Sequence, residues 1–451
     1  MSKVKAGFVS FGIADYPREL IERKGRQGLE WLQSSNIEVT STALVTDNPD
    51  GEDVRRAIAE LSNVDIDLLV ACVAGWIPSQ VVINVLNEFR HLPILLWGLA
   101  GNWEDGRLVT TAEQAGTTAL RRAMEDLGFN FKYLPSFQDA PPPLDKVSTF
   151  AHAAAAVKQL RHATIGEMGY RDMNLYATMF DGVSLRKRLG IEVEFFEMLE
   201  MVQRAERLKP AAVAAVLDTM RQKWVFETPA SQGLLEKVAK YYLAIREKVL
   251  ERNYQAVSLI DVDGMRKLLK LQPAMVLMLL ADELGVCTIP ENDTLGAVSQ
   301  LVTHALTGQI GAYLEFYEFF SDRVLMGVPD YVPAEVVDGP VMVRPAIFGG
   351  VEGGLNISRM KTGLVTICRV AGRGDHYMMH LATGDAVTPR AWEEAGWAPP
   401  APQLPGLEIR LHGDMEEFAQ NVLGQHYILS YGDNTNLFRD FCRLLSIDVV
   451  S

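Results

Sequence analysis

The chain has 451 residues, 48% hydrophobic and 22% charged, a globular mixture with material for about two to four domains. Its formal net charge is −14 and no basic cluster reverses it, which argues against nucleic acid as a partner. No apolar run reaches about 18 residues, so no membrane partner or span is expected. The N-terminus, Met1-Ser-Lys-Val-Lys, lacks the apolar core of a signal peptide.

In chain order, residues 1–145 alternate short apolar runs with amphipathic stretches. Val4 to Phe11, Ile37 to Ala43, Ile66 to Val73 and Leu92 to Trp97 read as strands. Arg18 to Gln33, Asp53 to Leu61, Ser79 to Phe89 and Thr111 to Leu127 read as helices between them. That alternation predicts a doubly wound parallel sheet. Asp139-Ala-Pro-Pro-Pro-Leu-Asp145 then marks a boundary, because three prolines continue neither a helix nor a central strand.

A second α/β region is expected over 146–330. Strands are read at Ala163–Gly166, Gly190–Phe196 and Ala256–Ile260, with long helices at Glu200–Lys223 (broken at Pro210) and Ser231–Asn253. An apolar run, Pro273 to Leu284, leads into Pro290-Glu291-Asn292-Asp293-Thr294-Leu295-Gly296-Ala297, and an amphipathic-looking segment follows. Glu291 is thereby placed at a strand-to-helix junction, where open α/β folds put ligand-handling side chains. From 331 to 451 proline, glycine and β-branched residues rise, as in Gly363-Leu-Val-Thr-Ile-Cys-Arg-Val370. The fold class is therefore α/β: two doubly wound Rossmann-like domains followed by a β-rich C-terminal domain.

The four cysteines, Cys72, Cys287, Cys368 and Cys442, show no metal spacing and read as reduced thiols of a cytoplasmic protein. Two carboxylates and a histidine, Glu291, Glu315 and His426, form a donor set that suits Mn²⁺, Mg²⁺ or Co²⁺. Spacing alone favours two solvated carboxylates and an ordinary strand-end histidine, because Glu, Glu and His spread over this length are not a motif. His376 and His380 sit four apart in a hairpin context without a catalytic glutamate pattern. Gly349-Gly-Val-Glu-Gly-Gly354 lacks the strand–helix context of a phosphate loop, and Gly353 to Lys361 reads as a loop.

Several segments together resemble the L-fucose isomerase and L-arabinose isomerase superfamily, more closely its compact fucose-isomerase-like branch, which includes sulfoquinovose isomerases. They are Gly75-Trp76-Ile-Pro-Ser-Gln, Leu92-Pro-Ile-Leu-Leu-Trp97-Gly98, Gly166-Glu-Met-Gly-Tyr-Arg171-Asp, Gly190-Ile-Glu-Val-Glu and Pro290 to Ala297, with Glu315 and His426. The resemblance implies a ketol isomerase acting on a hexose or a 6-deoxy or 6-sulfo hexose. It assigns Glu291 and Glu315 as metal ligands and proton carriers, and His426 as the third ligand. It implies a cytoplasmic homohexamer, with Arg18 reaching a neighbouring site. Arg171 could bind hydroxyls or an anion, Trp76 could stack on a sugar, and Asn356 could lie in a loop over the site. Val328 stands where arabinose isomerases carry a ligand histidine, which leaves a three-ligand site. A non-catalytic sugar-binding protein, and a metal-dependent epimerase or lyase, are the alternatives.

Overall fold

The computed structural model describes residues 3–328, 331–401 and 403–451. The chain divides into two compact units, Met1–Lys158 and Gln159–Ser451.

The first unit follows the expected alternation. Its elements are β1 (Lys5–Phe11), α1 (Arg18–Ser34), β2 (Glu38–Ser41), α2 (Glu52–Leu61), β3 (Leu68–Val73), α3 (Ser79–Glu88) and β4 (Ile94–Gly98). A small hairpin, β5 (Asn102–Glu104) and β6 (Arg107–Val109), precedes α4 (Glu113–Asp126), β7 (Phe131–Pro135) and α5 (Leu144–Leu160). The sheet order is β2-β1-β3-β4-β7, all parallel. β1, β3 and β4 are apolar nearly throughout because helices cover both of their faces.

The second unit begins with another parallel sheet. β8 (Thr164–Met168), α6 (Gly182–Leu189), β9 (Glu192–Phe196), α7 (Met198–Glu206), α8 (Pro210–Lys223) and β10 (Trp224–Phe226) come first. Then follow α9 (Gln232–Arg252), β11 (Ala256–Leu259), a π-helical turn (Asp261–Arg266), α10 (Ala274–Leu284), β12 (Cys287–Ile289) and α11 (Thr294–Thr307). The order β12-β11-β8-β9 is again wholly parallel.

Two expectations change here. The run Pro273 to Leu284 is not a strand: its residues form helix α10, and the strand before Glu291 is only Cys287–Ile289. A continuous apolar run does not distinguish a buried helix from a buried strand, and α10 is buried over its first eight positions. α11 is not amphipathic either. It packs against β8, β11 and β12 of the parallel sheet and against β13, β17 and β21 of the barrel described next, so it is buried all round.

The rest of the second unit is mostly β. β13 (Ala312–Phe319) and β14 (Val324–Gly327) are followed by β15 (Val341–Phe348), β16 (Val351–Asn356), β17 (Gly363–Arg373) and β18 (His376–Val387). β19 (Trp397–Ala398), β20 (Gly406–Leu411), α12 (Met415–Gln420), β21 (His426–Tyr431), α13 (Thr435–Leu445) and β22 (Asp448–Val450) complete it. Strands β17-β21-β13-β14-β20-β18 form an antiparallel sheet, and pairing of β17 with β18 closes it into a barrel. β13 and β14 precede residue 331 yet belong to this barrel, so Glu315 shares a sheet with His426. Gly353–Asn356 is strand, not the expected loop, because it pairs with β15 from Val343↔Asn356 to Phe348↔Val351.

Candidate metal and substrate site

Glu315 and His426 are directly opposed on adjacent antiparallel strands, the register pairing β13 with β21 at these two residues. Glu291 arrives from the turn between β12 and α11. The backbone there is unusual: Glu291 and Asn292 both have positive φ, 64° and 50°. Such conformations cost non-glycine residues of order 1–3 kcal/mol and persist only where surroundings enforce them. Here Asn292 N–H donates to Leu259 O at 3.2 Å, and its Nδ2 donates to Met168 O at 2.9 Å.

The three side chains converge. His426 Nε2 lies 3.6 Å from Glu315 Oε2 and 4.0 Å from Glu291 Oε2. Gln425 Nε2 adds a hydrogen bond of 3.4 Å to Glu291 Oε2. Burial alone would lower the His426 pKa. The hydrogen bond to Glu315 and the charges of Glu291, Glu315 and Asp293 outweigh burial and raise it.

Carboxylate oxygens and an imidazole nitrogen are donor types that divalent ions take. Two donors about 2.1 Å from one ion stand about 3.0 Å apart when adjacent and about 4.2 Å apart when opposite. The separations from His426 fall between these values. Among the described residues no group of three or more His, Cys, Asp or Glu side chains is arranged so that it could hold a metal ion as it stands.

Behind the trio is a fully buried ion pair. Arg369, on β17, grips Asp293 with Nη1–Oδ2 at 2.5 Å and Nη2–Oδ1 at 2.8 Å. Asp293 also caps α11 by accepting from Gly296 N–H at 3.0 Å, and accepts from the Tyr313 hydroxyl at 2.8 Å. The Tyr313 ring stacks on His426, centroids 4.3 Å apart and planes 20° from parallel. Burial pushes the Asp293 carboxyl up, but the charge and hydrogen bonds of Arg369 prevail and hold it below the usual range.

Glu291 and Glu315 open onto a pocket of about 370 Å³, the size of a small-molecule site. Asp261, Val262 and Arg266 line it from the π-helical turn after β11, and Met173 from the loop after β8. The pocket thus sits beyond the carboxyl ends of parallel strands, next to the point where strand order reverses between β8 and β11. Asp172 ties these two loops together. Its buried carboxylate accepts from the N–H groups of Met173, Val262 and Asp263 at 3.0, 2.7 and 2.7 Å. Phe348 and Trp397 form an aromatic wall with centroids 4.5 Å apart, and the Arg266 guanidinium lies 4.3 Å over Phe348.

Of the other expected residues in this unit, Arg171 and Asn356 do not line this pocket. Arg171 donates to Leu175 O at 3.0 Å and to Asn174 O, and stacks over Tyr176, so it braces its own loop. Asn356 is fully buried, with Oδ1 accepting from Ser358 N–H at 2.9 Å. Arg18 and Trp76 belong to the first unit, where Arg18 Nε pairs with Glu22 at 2.8 Å and Trp76 is 37% exposed. His380 is buried in the barrel sheet, its Nδ1 2.6 Å from the Tyr427 hydroxyl.

Sequence reasoning did not find Asp261, Arg266, Arg369 or the aromatic wall. Asp261 and Arg266 had one usable signal, a polar segment directly after a strand of a parallel sheet. Arg369 had none, since an arginine inside an apolar strand reads as an edge residue until its buried partner is known.

No family model matches the chain, and no curated protein matches it. Solved structures similar to it include an ABC transporter solute-binding protein from Burkholderia multivorans, with an unknown ligand interpreted as α-D-erythrofuranose. It is 9% identical, the match covering 67% of this chain and 93% of that one at a TM-score of 0.18. Another is a periplasmic solute-binding protein from Actinobacillus succinogenes 130z with bound D-allose. It is 12% identical, with coverages of 68% and 91% and a TM-score of 0.17. At such scores neither carries an argument about this chain.

The resemblance to the fucose and arabinose isomerase superfamily is therefore corrected: no family model and no curated protein, of that superfamily or any other, matches the chain. The short segments that carried it have local explanations. Gly190 closes α6 in a left-handed conformation, Asp293 is a helix cap, and a side chain at Gly98 would meet Thr117 at 2.7 Å. Parallel α/β units need glycines and caps at such junctions whatever their ancestry. The hexamer, and the naming of fucose, arabinose or sulfoquinovose as substrate, lose their support with it.

Proposed function

We propose that this protein is a divalent-metal-dependent aldose–ketose isomerase acting on a hexose or modified hexose. One observation carries the reading: two carboxylates from separate segments, Glu291 and Glu315, lie 4.0 and 3.6 Å from the imidazole Nε2 of His426 on a third, and both carboxylates line a small-molecule pocket. Glu291, Glu315 and His426 would hold Mn²⁺, or Mg²⁺ or Co²⁺. The ion would supply Lewis acidity, which acidifies the C–H next to a sugar carbonyl.

The chain's own residues do the remaining work. The strained turn fixes Glu291 on one side, and β13 fixes Glu315 on the other. Either carboxylate can accept a proton from C2 and return it to C1, the exchange that interconverts aldose and ketose through an enediol. The aromatic wall of Phe348 and Trp397 suits the apolar face of a sugar ring, and Asp261 and Arg266 offer hydrogen bonds to hydroxyls. In this reading the enzyme works in a reducing, cytoplasmic setting, in keeping with four free and buried cysteines. No helix among the described residues is long and apolar enough to cross a membrane.

A second reading, a sugar-binding protein without turnover, is favoured by the same aromatic wall, which binds a ring whether or not chemistry follows. Incubating a panel of aldoses with Mn²⁺ in deuterated water, followed by NMR, separates the two. Isomerisation exchanges the C2 proton and yields a ketose, epimerisation keeps the aldehyde, and a binding protein changes neither. Glu291→Gln, Glu315→Gln and His426→Ala are each expected to lower turnover at least about 100-fold. Near wild-type turnover in any one of them removes that residue from the site.

A further inference from the structure

The buried group behind the trio joins two separate parts of the fold. Arg369, His426 and Tyr313 come from β17, β21 and β13, three successive strands of the barrel. Asp293 comes from the other side, from the turn that carries Glu291. The Arg369–Asp293 pair, each side chain 2% exposed, is therefore a direct polar bond between the barrel and that turn. Tyr313 extends it, with its hydroxyl on Asp293 and its ring against His426. Tyr313 and Glu315 are two residues apart on one strand, so they share a face. The packing leaves no slack. A Cβ at Gly296 would stand 2.6 Å from Asp293 Oδ2 and 2.8 Å from Tyr313 Cε2.

We propose that Asp293, Arg369 and Tyr313 are positioning residues, a clamp that locks the Glu291 turn and the His426 ring into one arrangement. The inference rests on the reading of the trio as a metal site. A rotation of the His426 ring or a shift of the Glu291 turn changes the separation between donors. The clamp should then set metal affinity without touching metal or substrate, as groups supporting metal ligands do.

The decisive variant is the double substitution Asp293→Asn with Arg369→Met. Asparagine still caps a helix, and no charge is left buried alone, so the fold should survive. Two properties are read: Mn²⁺ affinity by titration, and the NMR signals of the His426 ring in metal-free protein, which sense the Tyr313 ring above them. The clamp predicts melting within a few degrees of wild type, Mn²⁺ affinity lowered by about 10-fold or more, and shifted His426 signals. Wild-type affinity together with unmoved His426 signals overturns it, since the pair would then serve the fold alone. Should the double variant not fold, Tyr313→Phe keeps the ring and removes only the hydroxyl bond to Asp293. It is held to the same two readouts, with a shift of the His426 signals and weaker Mn²⁺ binding expected. If wild type binds no Mn²⁺, the metal reading fails, while the His426 signals of the variants still decide the clamp.

Discussion

Glu167 shows how one side chain ties the parallel sheet to the site. It sits in β8, 1% exposed, and accepts from the Thr294 hydroxyl at 2.6 Å. Burial pushes its carboxyl up to about 8; the Thr294 hydrogen bond opposes the rise and the charge of Asp293 adds to it. In the unfolded chain the group releases its proton near the ordinary value of 4.5. Between those values the folded chain holds a proton that the unfolded chain has lost. Its contribution to stability is therefore fully present below 4.5 and lost as pH rises through about 8. Glu167→Gln keeps an acceptor for Thr294 and has no charge to bury. It should be more stable than wild type above this window, the difference growing within it by about 1.4 kcal/mol per pH unit at most. Thermal melts across the window check this, and a difference independent of pH would refute it.

At the scale of elements, the helices are held by their ends. α9 starts at Ser231, whose hydroxyl accepts from Leu234 N–H at 3.1 Å, and ends at Asn253 in a left-handed conformation. Ser231→Ala should cost about 1 kcal/mol and Ser231→Gly only a few tenths, since glycine is tolerated at a cap. Denaturant titrations of the two variants measure this, and equal losses would mean the cap bond is not the cause. α11 follows the same logic with a heavier cap, because Asp293 serves the helix, Arg369 and Tyr313 together. Two of its buried hydroxyls bond within the helix, Ser299 donating to Leu295 O at 2.7 Å and Thr303 to Ser299 O at 2.8 Å, while Gln300 donates out of it to Gly311 O at 2.7 Å.

At the scale of the whole chain, the barrel is the frame on which two of the three donors are mounted. β17 and β18 pair along their full length, from Gly363↔Ala386 to Arg373↔His376, and this pairing closes the ring. A closed sheet exposes no edge through which strands can fray. Backbone amides of β13, β17 and β21 should therefore exchange with solvent among the slowest in the molecule. Those of the isolated β5–β6 pair should exchange early. Hydrogen exchange read by mass spectrometry tests the order, and early exchange in β21 would contradict a rigid mount for His426.

The sequence by itself determined the parallel α/β part, because there the period of apolar residues, the loop lengths and the caps all point to one arrangement. It also picked out Glu291, Glu315 and His426 as candidates, but only as residue types. Spacing could not show that Glu315 and His426 are cross-strand neighbours, since that register comes from strands more than 100 residues apart in sequence. It misread α10 because an unbroken apolar run has no period when every side is buried. It gave no sign of Arg369, whose meaning depends on a partner 76 residues away. Tertiary structure decided those points for one physical reason. A buried charge, a closed sheet and a convergent donor set are each defined by what lies across the fold, and local sequence carries no record of it.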